Sequence, residues 1–327
     1  MRTQFRFVLI AGAATLFLAS SAAAQFPQIR TARQELRDAA AFRRQLPPDT
    51  PWRAADGATI VGVRCATHGL TEQEHAAASA RSTGFAAQVV DALTGGAFDV
   101  GSVSGSRAKS NRVRLRVHVL HDGDEGNVLQ KQIRNQVKVL NKAFRKWGFQ
   151  FKLKGVTRTD NANWFNDCAR NSVSKRFTRA LSVNAAKNLN VYLCNPSQGF
   201  LGWAILAGSR VANTKQDGIF INYATLPGGT AVPYDLGDTV THEVGHYLGL
   251  LHTFQGGCGG SGDFVDDTPA QQSPTFGCAV GSDSCASEGL DPIENFMGYS
   301  DDLCMTGFTP GQAERMVDQV GLHRGQL

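Results

Sequence analysis

The sequence predicts an α/β domain built on a mostly parallel, twisted sheet and followed by an irregular C-terminal region held by cysteines. Three features point to it. Val113, Leu115, Val117 and Val119 alternate with other residues, as do Phe149, Phe151 and Leu153, while the stretch between repeats apolar residues every three or four positions. That order of strand, helix and strand favours parallel pairing. Residues 242–252 read His-Glu-Val-Gly-His-Tyr-Leu-Gly-Leu-Leu-His, which sets two histidines one turn apart on the same helical face. Beyond His252 periodicity fades, and four of the seven cysteines gather: Cys258, Cys278, Cys285 and Cys304.

Taken in order, residues 1–24 carry Arg2 and Arg6, then an apolar run over 7–18, then Ala22, Ala23 and Ala24 before Gln25. This is the pattern of a secretory signal with its cleavage site, the alternative being a retained anchor. No other apolar stretch approaches the length of a membrane helix, so the mature chain is expected to be exported and soluble. Residues 25–110 read as a leader: a Pro-containing opening with Pro47, Pro48 and Pro51, an Ala-rich helix over 71–87, and a Gly/Ser-rich linker over 101–110. Arg107, Lys109 and Arg112 make the linker a place for proteolytic release.

One domain is expected over 111–327, with an upper part to 252 and a lower part from 253. The period-two run gives a strand over 113–120. Leu129, Ile133, Val137, Leu140, Phe144 and Trp147 give a helix that Gly148 stops, and a second strand covers 149–153. A helix over 173–181 and strands over 189–193 and 218–223 follow, then a turn at 226–229. Val240, Val244, Leu248 and Leu251 form an apolar stripe beside the histidine face of the next helix. A final helix starts at Thr309, with Pro310 in its first position and Gln312 completing a capping box.

The histidine pattern carries chemistry. His242 and His246 can aim two imidazoles at one metal ion, and Gly249 ends the helix so that His252 can return as a third ligand. Three protein ligands leave the fourth tetrahedral position for water, which is the arrangement of a catalytic zinc. Glu243 is adjacent to the first ligand and is a general-base candidate, taking a proton from water and passing it to a departing amine. The plainer alternative is a helix whose histidines are solvated or satisfied in the core.

The full spacing from His242 to His252, with Met297 in Asn-Phe-Met-Gly-Tyr downstream, resembles the metzincin zinc peptidases. Within that clan the wording is most similar to the pappalysin family: Thr-His-Glu-Val-Gly-His at 241–246, Leu-His-Thr-Phe at 251–254, Gly-Asp-Phe-Val-Asp-Asp-Thr-Pro at 262–269, Asp-Pro-Ile-Glu-Asn-Phe-Met at 291–297 and Phe-Thr-Pro-Gly-Gln at 308–312. The resemblance covers about 112–320 and departs at Gly298, where the family commonly has Asp. It implies a zinc endopeptidase acting on protein and peptide substrates. Met297 would be the floor of the metal site, and Tyr299 a phenol near the metal that stabilises the tetrahedral intermediate. It also implies an antiparallel edge strand near 199–206 that pairs with extended peptides; a covered edge is the alternative.

The resemblance further implies interleaved disulfides, Cys258 with Cys285 and Cys278 with Cys304. Cys168 and Cys194 remain as a pair for which the family supplies no warrant, and Cys65 is left single. Cys65 stands in Arg-Cys-Ala-Thr, where the family has a similar Arg-Cys-Gly-Thr leader element, so its thiolate is a candidate fourth ligand that keeps the enzyme latent. A disulfide or a plain buried thiol is the alternative. Asp263, Asp266 and Asp267 are a candidate calcium site, against a solvated acidic loop.

Charge excludes little. The formal net charge of +5 is spread along the chain, and Lys131, Arg134, Lys138 and Lys142 read as the solvated face of a helix. No nucleic-acid recognition motif accompanies them, and a monomer is expected. A zinc peptidase with a distant Glu as third ligand is opposed by His252 and Met297. A zinc-stabilised binding or adhesion protein without catalysis is opposed by Glu243.

Overall fold

Residues 52–53, 59–60, 65, 111–196, 199–259, 261–325 and 327 are described by the structure, a computed structural model. Every described residue lies within 51–327. The signal segment, the Ala-rich stretch over 71–87 and the linker over 101–110 lie outside the described residues.

A small antiparallel pair, β1 (Trp52–Arg53) and β2 (Thr59–Ile60), precedes the main domain. There β3 (Asn111–His121), α1 (Gln130–Phe144) and β4 (Phe149–Asp160) form the strand-helix-strand unit, with β3 and β4 parallel. Gly148 ends the helical segment at φ +83°, a left-handed conformation that glycine adopts cheaply. Ile133, Leu140 and Phe144 face the sheet, and burying a ring such as that of Phe144 contributes about 1.5–3 kcal/mol. β4 runs well beyond the expected 149–153. The register shifts between Leu115 and Arg116, leaving Lys154 as the extra residue of β4, and this irregularity breaks the alternation from which a strand is read.

Beyond β4 come α2 (Ala162–Asn166), α3 (Asn171–Leu181), β5 (Leu189–Cys194), β6 (Gly202–Ala204) and β7 (Ile219–Asn222). The sheet order is β4-β3-β5-β7-β6. All pairs are parallel except β6 with β7, so β6 is an antiparallel edge strand.

Alternation separates two cores. Val113, Leu115, Val117, Val191 and Ile219 join a cluster containing Leu140, Phe144, Val240, Val244, Met297 and Met316. Leu120, Tyr192 and Phe220 join another with Phe165 and Phe177. The first core receives α4 (Asp238–Tyr247) and α5 (Pro310–His323). Thr309 caps α5 by accepting from the Gln312 N–H at 3.1 Å, while Gln312 Oε1 accepts from the Thr309 N–H at 3.0 Å.

Between these two helices the chain is irregular and carries two interleaved disulfides, Cys258–Cys285 and Cys278–Cys304; Cys168–Cys194 ties the loop after α2 to the end of β5. Among the described residues no helix is long and apolar enough to cross a membrane.

Candidate metal centre

The helix α4 is buried along its whole length, so its end groups must be satisfied by protein. At the start, Asp302 Oδ2 accepts the N–H groups of Leu236, Gly237 and Asp238 at 2.9, 3.1 and 3.2 Å. This anion lies where the helix dipole is positive. At the far end Gly249 has φ +105°, and a Cβ there would meet Gln319 Cβ at 2.4 Å. Only glycine fits that turn, which carries His252 back beside the helix.

Two of the histidines are oriented through their Nδ1–H groups. His242 donates to the Phe296 carbonyl at 2.6 Å and His246 to the Leu250 carbonyl at 2.8 Å, which leaves each Nε2 lone pair aimed inward. His246 Nε2 stands 3.1 Å from His242 Nε2 and 3.0 Å from His252 Nε2. Lone pairs held that close repel unless a cation lies among them. Nitrogen ligands at about 2.0–2.1 Å from a tetrahedral zinc are separated by about 3.3–3.4 Å, so the donor set fits zinc. Burial also favours the neutral ligand form: it pushes His246 down to about 4, and together with the neighbouring His246 it takes His252 well below the ordinary histidine value.

Met297 is fully buried beneath the helix, and a Cβ on Gly245 would lie 2.4 Å from its sulfur. Asn295 shapes this turn: its Oδ1 accepts from Met297 N at 2.9 Å and its carbonyl from Gly298 N at 3.0 Å. A Cβ on Gly298 would find its nearest neighbour at 3.4 Å, so space does not demand glycine there. The His252 ring stacks on Phe254 at 4.7 Å and meets Tyr299 edge-on at 5.1 Å. The Tyr299 hydroxyl lies 3.4 Å from His252 Nε2.

Glu243 is fully buried on the same helix, against β6. A Cβ on Gly202 would come within 2.9 Å of Glu243 Cγ and 3.1 Å of the Phe220 carbonyl. Cys65 reaches the same carboxylate and is 5% exposed. Its Sγ donates to Glu243 Oε2 at 3.4 Å, and its carbonyl accepts from the Tyr299 hydroxyl at 3.0 Å. Ligand atoms of Cys65, His242, His246 and His252 all lie within 4.8 Å of one another, the one such group among the described residues.

The three aspartates do not converge in this way. Asp263 is buried, with Oδ1 accepting from Val265 N at 3.1 Å, and burial pushes its carboxyl up to about 7. Asp267 instead accepts from Gly311 N at the start of α5 at 2.9 Å, and Asp266 is exposed. Asp263 and Asp267 thus have separate hydrogen-bond partners. Gly202, Phe254, Asn295 and Asp302 also shape the centre and were not singled out by sequence reasoning. The glycine of Gly-Trp-Ala at 202–204 and the Asn before Phe-Met at 295–297 were the signals available; nothing marked Asp302.

The Peptidase_M43 family model, described as pregnancy-associated plasma protein-A, matches residues 171–321. An extracellular metalloprotease of Pyricularia oryzae is 47% identical over 225 residues, covering 67% of this chain and 78% of that protein. One from Sordaria macrospora is 46% identical over 203 residues, 61% of this chain and 70% of that protein. Among solved structures, mature mirolysin of Tannerella forsythia in complex with a cleaved peptide matches with a TM-score of 0.58 and 29% identity, over 64% of this chain and 91% of that one. A Glu-to-Ala mutant of promirolysin from the same organism matches with a TM-score of 0.63 and 25% identity, over 80% of this chain and 95% of that one.

Proposed function

This chain belongs to the pappalysin family of metzincin metallopeptidases, and from that premise we propose that it is an exported zinc endopeptidase made as a latent precursor. His242, His246 and His252 hold the zinc, Glu243 is the general base, and Tyr299 stabilises the developing oxyanion. Residues 25–110 are the leader and residues 111–327 the catalytic domain, which works as a monomer on protein and peptide substrates. Export is supported by the signal-like composition of residues 1–24 and by relatives named extracellular metalloproteases.

The observation that carries the reading is the convergence of three buried Nε2 atoms, two of them with Nδ1–H already committed to carbonyls. Zinc held by such neutral ligands supplies Lewis acidity, lowering the pKa of water and polarising a peptide carbonyl. Glu243 then takes a proton from the attacking water and returns it to the departing amine nitrogen, as its buried place beside the ligands and the edge strand allows. The Tyr299 hydroxyl, 3.4 Å from His252 Nε2, donates to the oxygen that gains charge.

Latency is supported by one leader residue touching both of these groups. Cys65 gives its thiol hydrogen towards Glu243 and its carbonyl to Tyr299, so base and oxyanion donor are both engaged while the leader is in place. Glu243 is also a proton acceptor at 3.4 Å, which lets Cys65 act as an anionic sulfur ligand. The precursor form of mirolysin matches 80% of this chain against 64% for the mature form, in keeping with a leader of the same kind.

The test is casein cleavage by the purified full-length chain, before and after limited proteolysis in the 101–110 linker, beside its Glu243→Ala form, each also assayed for zinc. Cleavage that rises on proteolysis, is lost in Glu243→Ala and leaves zinc bound in both is expected. Equal cleavage by both proteins would remove Glu243 from the mechanism.

A further inference from the structure

Four rings stand side by side on the face of the sheet that carries the second core, one on each of four neighbouring strands. His118 on β3 stacks on Tyr192 of β5 at 4.8 Å, Tyr192 on Phe220 of β7 at 5.1 Å, and Phe220 on Trp203 of β6 at 4.6 Å, with interplanar angles of 20°, 19° and 3°. Strand register makes each pair direct cross-strand neighbours. The ladder thus runs from inside the sheet to its edge and ends at Trp203. There it borders an open groove of about 370 Å³, lined by Asn171, Ser174 and Lys175 of α3, by Ile205, and by Val211 and Gln216.

Strand pleating decides what can enter that groove. Gly202 points to the catalytic face, where its Cβ would meet Glu243, so Trp203 points to the opposite face, where it and Ile205 line the groove. An extended peptide that adds to β6 alternates in the same way, and its residue opposite Trp203 shares the Trp203 face at a Cβ separation of about 4.5–5.5 Å. The neighbouring peptide residue, opposite Gly202, faces Glu243. Recognition is therefore divided between the two faces of one strand.

The geometry points to a substrate subsite in this groove that takes an aromatic side chain, the peptide residue opposite Trp203 serving as a fifth rung of the ladder. This rests on the reading above, that an extended peptide is cleaved beside β6. An aromatic ring is favoured over an aliphatic chain because the last rung is already coplanar with the one beneath it, and offset stacking repeats that arrangement. Lys175, Asn171 and Gln216 around the groove suit a ring with a polar tip, such as tyrosine or tryptophan.

The test is a cleavage-site profile of the full-length protein activated by limited proteolysis, read with a peptide library varied at each position within three residues of the scissile bond. One position is expected to favour aromatic residues over alanine by about tenfold in kcat/KM, the scale of apolar pocket discrimination. That ratio should fall towards one in Trp203→Ala and persist in Trp203→Phe. Ser174→Trp, which fills the groove from α3 and leaves every ladder residue unchanged, should lower it too and covers the case in which Trp203→Ala does not fold. Cleavage with no aromatic position, or with a preference that both groove variants leave intact, overturns the subsite while the peptidase reading stands. If no library peptide is cleaved, the peptidase reading falls and the subsite with it.

Discussion

Gly202 shows how closely single residues set the chemistry. Its missing side chain makes the room in which Glu243 lies against the edge strand, because a Cβ there would press on Glu243 Cγ at 2.9 Å and on the Phe220 carbonyl at 3.1 Å. Backbone of a central strand yields less than a side chain, so in Gly202→Ala the Glu243 carboxylate is displaced. A catalytic group moved by about 1 Å costs up to about a hundredfold. We expect kcat of the activated enzyme to drop by about ten- to a hundredfold with zinc content unchanged; wild-type kcat would mean that Glu243 adapts freely. His242, Glu243 and His246 were legible because their offsets are fixed by helix geometry, and His252 because Gly249 marks the turn that precedes it. Gly202 was not, since contact across the sheet leaves no local pattern, and Cys65 was singled out only through the family resemblance, its contacts lying far along the chain.

At the scale of elements, the Asp302 carboxylate is the cap of α4, holding three N–H groups that no other turn of the helix can reach. Asp302→Ala leaves the Gly237 and Asp238 donors buried, and loss of such a hydrogen-bonded acceptor costs about 1–3 kcal/mol. Thermal unfolding of the metal-free protein should therefore show Tm lower by about 2–12 °C, at about 2–4 °C per kcal/mol for a domain of this size; an unchanged Tm would show the cap to be replaceable. Helices α1, α4 and α5 were legible from period, glycine stops and the Thr309 capping box. The helix α2 was missed, its five residues being too few to show a period. The far half of β4 was hidden by the register shift at Lys154.

On the scale of the molecule, Arg324 joins parts of the fold that are remote in sequence. Its guanidinium is 1% exposed, pairs with Asp217, donates to the Ile205 carbonyl at 2.9 Å and lies 3.5 Å over the Tyr247 ring, while its Nε donates to the Tyr247 carbonyl at 2.8 Å. The end of α4 and the residue after β6 are thus fastened to one side chain. Removing one partner of a buried ion pair costs about 3–5 kcal/mol because the other charge stays buried. Arg324→Met should lower the urea midpoint accordingly, and adding Asp217→Leu should recover most of it; no recovery would mean that the carbonyl contacts, not the charge pair, dominate. Charge alone could not reveal this pair, whose members are 107 positions apart.

Arg315 donates to the Gly249 carbonyl at 2.9 Å, so Asp302, Arg315 and Arg324 together hold both ends of the histidine helix, and all three follow the histidines in the chain. For a polypeptide threaded outward through an export channel with its N-terminus leading, the metal ligands emerge before the groups that fix them in place. A chain that has passed only part of its length therefore presents the three histidines on or beside a helix whose ends are not yet held.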